Sequence, residues 1–325
     1  MPATWGVQDK MVGKLTSNLM CSCSILPYIM GLSPHKTPNE QLLEMWAHKE
    51  GKGKEWEGNE LTHMGNVLEE PVLKEGCERL GLVPELNITE PVVHPTLPLA
   101  ASLDGRADGK SMTIHHDPFK GIYVVGNDRI VLDGIGVLES KVTRSRPEDF
   151  PPMWRGPVQV NGQMMCGGYK WAALIILYGG VEMRIFLFTL HAGTEKSISE
   201  ACVDLDRRLN ADEIEYYDLA DAADAALVYS LGDKEEPVDL PAGFDDLCKE
   251  YLLLKDQIKE GSEALGVLTA EIQRKMGNHI TGLAGNYRVS WPVKKYREQP
   301  EKIIPAKLAY QVRQKTISIK EIKNG

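Results

Sequence analysis

Three side chains in the middle of the chain could do chemistry together. Asp104 sits between Ser102-Leu103 and Gly105, and 35 residues later an apolar stretch carries Glu139-Ser140-Lys141. Carboxylates are the hard oxygen ligands that Mg²⁺ takes. A lysine two residues beyond the second acid, on a strand, points to the same face and can polarise an attacking water. Acid, gap, acid-x-Lys is thus the pattern of a metal-dependent phosphodiesterase, where the metal carries much of the charge neutralisation. Each part alone is ordinary. Asp-Gly is a common turn pair, and Glu-x-Lys is often a solvated strand face. The apolar flank Ile135–Leu138 and Val142 weakens that second reading, because a buried strand rarely carries two charges idly.

The elements that must position these groups follow from pattern. Residues 15–50 read as helical, with a turn at 33–38 and Asn39 as N-cap of a helix Glu40–Lys49. After a loop at 51–58, a helix over about 59–80 places Leu61, Met64, Leu68, Val72 and Cys77 on one side. Pro71 should kink or split it. Strands follow: Val92–His94, Leu99–Ser102, a hairpin of Ile122–Val125 and Ile130–Leu132 around Gly126-Asn127-Asp128, and Gly136–Val142. A long helix is expected over Val158–Tyr178, ending at Gly179-Gly180, and then a buried strand Met183–Leu190. Residues 197–231 are acidic, Ala-rich and expected helical, and 235–243 reads as a linker. Phe244–Met276 is a strong helix with near-heptad apolar spacing, a packing arm or coiled-coil segment. Tyr287–Trp291 reads as a strand, followed by a basic, partly β tail. The whole is α/β or α+β with a central mixed sheet flanked by helices.

The domains expected are a core over 1–195, an acidic helical segment and linker over 196–240, and the long helix with its basic tail over 241–325. The chain has 325 residues, 42% apolar and 26% charged, so a sizeable core is expected. No apolar run reaches membrane-spanning length, and the first residues lack the pattern of a secretory signal. The six cysteines, at 21, 23, 77, 166, 202 and 248, lack zinc-knuckle spacing and fit reduced thiols in a cytoplasm. Net charge is −9, which argues mildly against nucleic acid on bulk charge alone. The distribution differs: residues 278–325 hold ten Lys and Arg against three acids, a local +7 on a body of −16. Phosphate responds to local potential, so such a tail can still hold DNA. Tyr287, Trp291, Tyr296 and Tyr310 interleave with those cations. They can stack bases, and Trp291 can equally pack under the long helix.

Several segments together resemble a known family. They are Ser22-Cys23-Ser24 leading to Ile29–Pro34, Gly65-Asn66-Val67-Leu68-Glu69, His94-Pro95 through Ser102-Leu103-Asp104-Gly105, Leu138-Glu139-Ser140-Lys141, and Gln159-Val160-Asn161-Gly162-Gln163-Met164. In this order they resemble the YqaJ-like viral recombinases, relatives of lambda exonuclease with the restriction-endonuclease-like PD-(D/E)XK core. The likeness covers roughly residues 15–190. It implies that Glu69, Asp104 and Glu139 hold Mg²⁺, with Mn²⁺ as a substitute, and that Lys141 activates water, in positive surroundings that would lower its pKa. Gln159 would assist, and Gln163, one turn later, would face DNA. Leu103 stands where the family has proline. Ser22 and Ser24 match the Thr and Ser of a family motif that holds a DNA 5′-phosphate. The arginine of that motif would fall near Ser17, with Lys14 the nearest base. The gap from Asp104 to Glu139 is long for the family, so about 107–125 is assigned to an insertion, with His115, His116 and Asp117 as exposed loop residues.

The resemblance further implies a 5′-to-3′ exonuclease on linear duplex DNA that leaves 3′ single-stranded tails. It implies a ring-shaped homo-oligomer, hand-over to a single-strand annealing protein, and a phage or prophage origin in a bacterial cytoplasm. Two rivals stay open on the residues themselves. One is a structure- or site-specific endonuclease of the same fold, and the other a non-catalytic DNA-binding protein with a relic site.

Overall fold

The computed structural model describes residues 16–54, 58–230 and 237–293. The chain divides into two compact units, residues 1–228 and 229–325. The first runs β1 (Cys21–Ser22), α1 (Leu26–Ile29), α2 (Pro38–Lys49), α3 (Glu60–Leu80), β2 (Pro84–Leu86), β3 (Val92–Val93), β4 (Leu99–Ala101), β5 (Gly105–Asp108), β6 (Met112–His115), β7 (Ile122–Val124), β8 (Arg129–Leu132), β9 (Ile135–Thr143), α4 (Pro157–Gly167), β10 (Trp171–Tyr178), β11 (Glu182–Thr189), α5 (Ala192–Leu209) and α6 (Ala222–Val228). The second holds α7 (Phe244–Met276) and the antiparallel pair β12 (Thr281–Ala284) and β13 (Tyr287–Ser290).

A six-stranded mixed sheet, in the order β2-β5-β9-β10-β11-β7, is the frame of the first unit. β9 and β10 pair in parallel, with Glu139 opposite Leu174 and Lys141 opposite Ile176. β5 pairs antiparallel with β9, so Gly105 lies opposite Leu138. Both faces are covered. Val137, Leu174 and Ile176 join the cluster under α1, α2, α4 and α5, while Leu138, Ala173 and Ile175 pack with Val72, Leu73 and Cys77 of α3. Helices on both sides explain why β10 is an unbroken apolar run rather than an alternating one.

That run misleads at the level of sequence. The helix expected over Val158–Tyr178 is a helix only to Gly167; Gly168 then takes a left-handed conformation (φ 63°) and ends it. Residues 171–178 form the central strand instead. The expected 122–132 hairpin is absent as well. β7 pairs in parallel with β11, and β8 pairs with β6. β6 and β7 thus lie within the stretch 107–125 expected as an insertion, and β7 is an edge strand of the main sheet. His115 and His116 are exposed there, and Asp117 caps a 3-10 turn.

Other boundaries shift for local reasons. The stretch after residue 15 is not one helix but β1, a 3-10 turn and the short α1. α3 runs through Pro71 without being split, because Pro71 is exposed and water can serve the carbonyl left without a donor. Leu61 and Met64 do not join its buried side; burial begins at Val72. Residues 196–228 pack on the core rather than standing apart, with Ile198, Cys202, Leu205 and Leu209 of α5 buried. All six cysteines are free thiols, five of them buried. No helix among the described residues is long and apolar enough to cross a membrane.

Thr37, not Asn39, caps α2. Its hydroxyl accepts from the Glu40 amide at 3.1 Å, while the Glu40 carboxylate accepts from the Thr37 amide. The same hydroxyl donates to Asp224 at 2.7 Å, and buried Asn39 donates to that carboxylate at 2.8 Å. Thr37→Ala removes a cap and a bond to a buried acid, so it should cost about 1–3 kcal/mol. A urea midpoint unchanged from wild type would show that this clip adds nothing.

Candidate active site

Strand pairing brings the two halves of the acid-x-Lys pattern together. Asp104 lies just before β5, beside the middle of β9. Its Oδ2 accepts from the Ser140 amide at 2.9 Å and from the Ser140 hydroxyl at 3.2 Å. Glu139 and Lys141 project from one face of β9, and the lysine amine lies 2.5 Å from Glu139 Oε1. Two glutamines of α4, one turn apart, meet the same carboxylate. Gln159 donates to Oε1 at 2.6 Å and Gln163 to Oε2 at 2.7 Å. Glu139 is only 1% exposed, and these donors are what make a charge there tolerable.

Glu69 comes from α3 and lines the same cleft. It makes no hydrogen bond among the described residues. Its neighbour Glu70 is paired with Lys74 at 2.5 Å. Glu69, Asp104, Glu139, Lys141 and Gln159 all line one cleft of about 540 Å³, together with Ser22, Ser24, Ser102 and Thr16. A second cavity of about 580 Å³ shares Ser24, Lys141, Val142 and Gln159, and is walled by Tyr28, His35, Trp154 and Arg155.

The cleft is over-supplied with negative charge. Burial raises the Asp104 pKa well above the carboxylate range, and the charge of Glu139 adds to it. Burial also raises that of Glu69, again with a contribution from Glu139. For Lys141, burial pulls the amine down, but Glu139 and Asp104 outweigh it and the pKa is raised. The protein's own neighbours of the lysine are acids and raise its pKa; the lowering expected from positive surroundings would need the bound cation. These acids therefore favour the ammonium form of Lys141.

A divalent cation fits this donor set chemically: three carboxylates, hard oxygens, face a single ammonium. Glu139 Oε1 already accepts twice, whereas Oε2 accepts once from Gln163, leaving one lone-pair direction for a ligand bond. Among the described residues, no three His, Cys, Asp or Glu side chains are gathered tightly enough to hold an ion in their present rotamers. Binding by all three acids would require side-chain movement, for which Glu69, without a hydrogen bond, is the freest.

Two expected DNA contacts are corrected. Gln163 is fully buried and also donates to the Ser102 carbonyl at 3.4 Å, so it braces Glu139 and cannot touch DNA directly. Ser22 is buried in β1; Ser24 is the exposed member of the pair, with their hydroxyl oxygens 3.0 Å apart. Ser140, which anchors Asp104, went unnoticed in the sequence. Only the β5–β9 register gives it that task. Lys14 and the tail from residue 294, with Tyr296 and Tyr310, lie outside the described residues.

No protein-family model matches the chain. The uncharacterized protein YqaJ of Bacillus subtilis (strain 168) is 24% identical over 297 residues, which cover 85% of this chain and 81% of YqaJ. Among solved structures, the alkaline exonuclease LHK-Exo from Laribacter hongkongensis matches 59% of this chain and 90% of its own, at 15% identity and a TM-score of 0.40. A phage-related exonuclease from Haemophilus somnus 129PT matches 58% and 92%, at 15% identity and the same score. Overlaps that loose assign neither fold nor activity. Over most of its length, the chain is similar to YqaJ, the likeness that its motifs had already suggested.

Proposed function

We propose that this chain is a Mg²⁺-dependent deoxyribonuclease that works from the ends of linear duplex DNA, 5′ to 3′, and leaves 3′ single-stranded tails. What supports hydrolysis is one observation: residues 69, 104, 139, 141 and 159, distant in sequence, line a single cleft with excess negative charge. Polarity, a ring-shaped assembly, an annealing partner and a bacterial cytoplasmic setting rest on the family resemblance alone.

Glu69, Asp104 and Glu139 would hold the metal. When bound, Mg²⁺ would neutralise phosphate charge and lower the pKa of a water. The protein groups do the rest. The Lys141 ammonium, held beside Glu139, is placed to donate to a phosphate oxygen or to the attacking water as negative charge develops. Gln159 and Gln163 fix the Glu139 carboxylate, so its free lone pair keeps one direction. Ser140 does the same for Asp104. Ser24 offers a hydroxyl at the cleft mouth to a substrate phosphate.

The deciding assay compares linear duplex with closed circular DNA, with and without Mg²⁺. Degradation of the linear form only, and only with Mg²⁺, is expected, with Mn²⁺ able to substitute. Nicking or linearisation of the circle would make the protein an endonuclease. No cleavage of either form at any metal concentration would leave a DNA-binding protein.

A further inference from the structure

We infer that α7 pairs with α7 of a second copy as an antiparallel coiled coil, a contact independent of the nuclease reading. α7 is 33 residues long, or about 50 Å. Its apolar positions repeat as a heptad without a break: Phe244, Leu247, Tyr251, Leu254, Ile258, then Gly261, then Leu265, Leu268 and Ile272. No described residue covers the stripe. Ile258 is 73% exposed and Leu265 65% exposed, and Met276 is the sole residue of α7 that is buried. A single exposed leucine means little. A seam of this length, interrupted only at Gly261, marks a docking surface.

The seam identifies its occupant by size. In an antiparallel pair, each a position faces a d position of the other helix. One register fills the layers between 247 and 272: Leu247 against Ile272 of the second copy, Tyr251 against Leu268, Leu254 against Leu265, and Ile258 against Gly261; at the two ends it sets Phe244 against the aliphatic stem of Lys275. The only gap in the seam, Gly261, is thus filled by the isoleucine three residues away on the other chain. A two-fold axis makes each layer occur twice, as an isologous contact requires. A parallel pair would instead set Gly261 against Gly261 and leave a hole at the centre.

The helix ends point the same way. The first turn carries Asp245 and Asp246, and the last carries Arg274 and Lys275. Antiparallel pairing opposes the helix dipoles, and Asp245, Asp246 and Arg274 stay on the outer face in solvent. Parallel pairing stacks Lys275 on Lys275 and aligns the two dipoles. One rim contact dissents: antiparallel pairing sets Glu250 near Glu271, whereas parallel pairing would set Glu250 near Lys255. That contact lies at the wet edge, where water screens it, and the central hole does not.

Light scattering on the full chain tests the pairing. Ile258→Asp should halve the mass and raise the dissociation constant about 100-fold or more, since it buries an unpaired charge. Leu253→Asp, on the outer face of the same helix, should leave the mass unchanged and shows that a new aspartate does not unfold α7. Orientation is read from Thr269→Cys. In the antiparallel register residue 269 lies beside native Cys248 of the second copy. On one helix the two are about 31 Å apart, so a disulfide formed between them with glutathione disulfide joins two chains. A covalent dimer is expected. Unchanged mass in Ile258→Asp overturns the proposal, as does Thr269→Cys that stays monomeric under oxidation. Cross-linking of Glu250→Cys to Lys255→Cys in its place would show parallel pairing and overturn it too.

Discussion

Lys141→Ala is expected to slow Mg²⁺-dependent hydrolysis of linear duplex DNA by about 10²–10³-fold, roughly 3–4 kcal/mol of barrier, as loss of one donor aimed at developing charge does. Among the described residues that line the cleft the amine is the only cation, and it lies 2.5 Å from Glu139. Its removal also leaves Glu139, 1% exposed, with only Gln159 and Gln163 as donors. Some stability is lost as well, about 1–3 kcal/mol, the lower end being expected because Lys141 is about a third exposed. Circular dichroism must therefore accompany the rate. A folded Lys141→Ala that cuts at the wild-type rate defeats the assignment. Asp104→Asn should lose a comparable factor, and raising Mg²⁺ should recover part of it if the carboxylate is a ligand.

Trp171→Ala should be the most destabilising single change in the first unit, at about 3–5 kcal/mol. Trp171 is fully buried at the start of β10, and its indole donates to the Gly134 carbonyl at 3.1 Å. Its ring occupies the space that a side chain at Gly136 would need; a Cβ there would lie 2.1 Å from ring atoms. Deleting the ring opens a cavity beneath β9 and removes one of the two donors to the Gly134 carbonyl, which keeps the Gly109 amide at 2.9 Å. For a domain of this size the melting temperature should fall by roughly 10–15 °C. A calorimetric shift of only a degree or two would mean that the sheet can collapse around the gap. Nuclease activity below the transition should survive, since Leu138 on that face of β9 points away from Glu139 and Lys141.

The outcome for β10 and for Asp104 separates what each level of description can reveal. The acid-x-Lys pattern was legible because alternation along a strand is a local property; Glu139 and Lys141 had to share a face whatever the fold. The helix Phe244–Met276 was legible for the same reason, as its period is written in its own residues. Residues 171–178 were misread because an apolar run has no period when both faces are buried, and only the covering helices made it a strand. The 122–132 segment was misread because pairing partners are chosen across the whole sheet, so β7 took β11 rather than its neighbour. Glu69 could be suggested only by likeness, since nothing local distinguishes it from Glu70 until α3 packs and turns one of them inward. Residue types and short-range periods thus set the chemistry available. Tertiary packing decided which acids meet, that Gln163 braces Glu139 from a buried position, and that acids surround Lys141, because distance and burial between remote segments are properties of the folded chain alone.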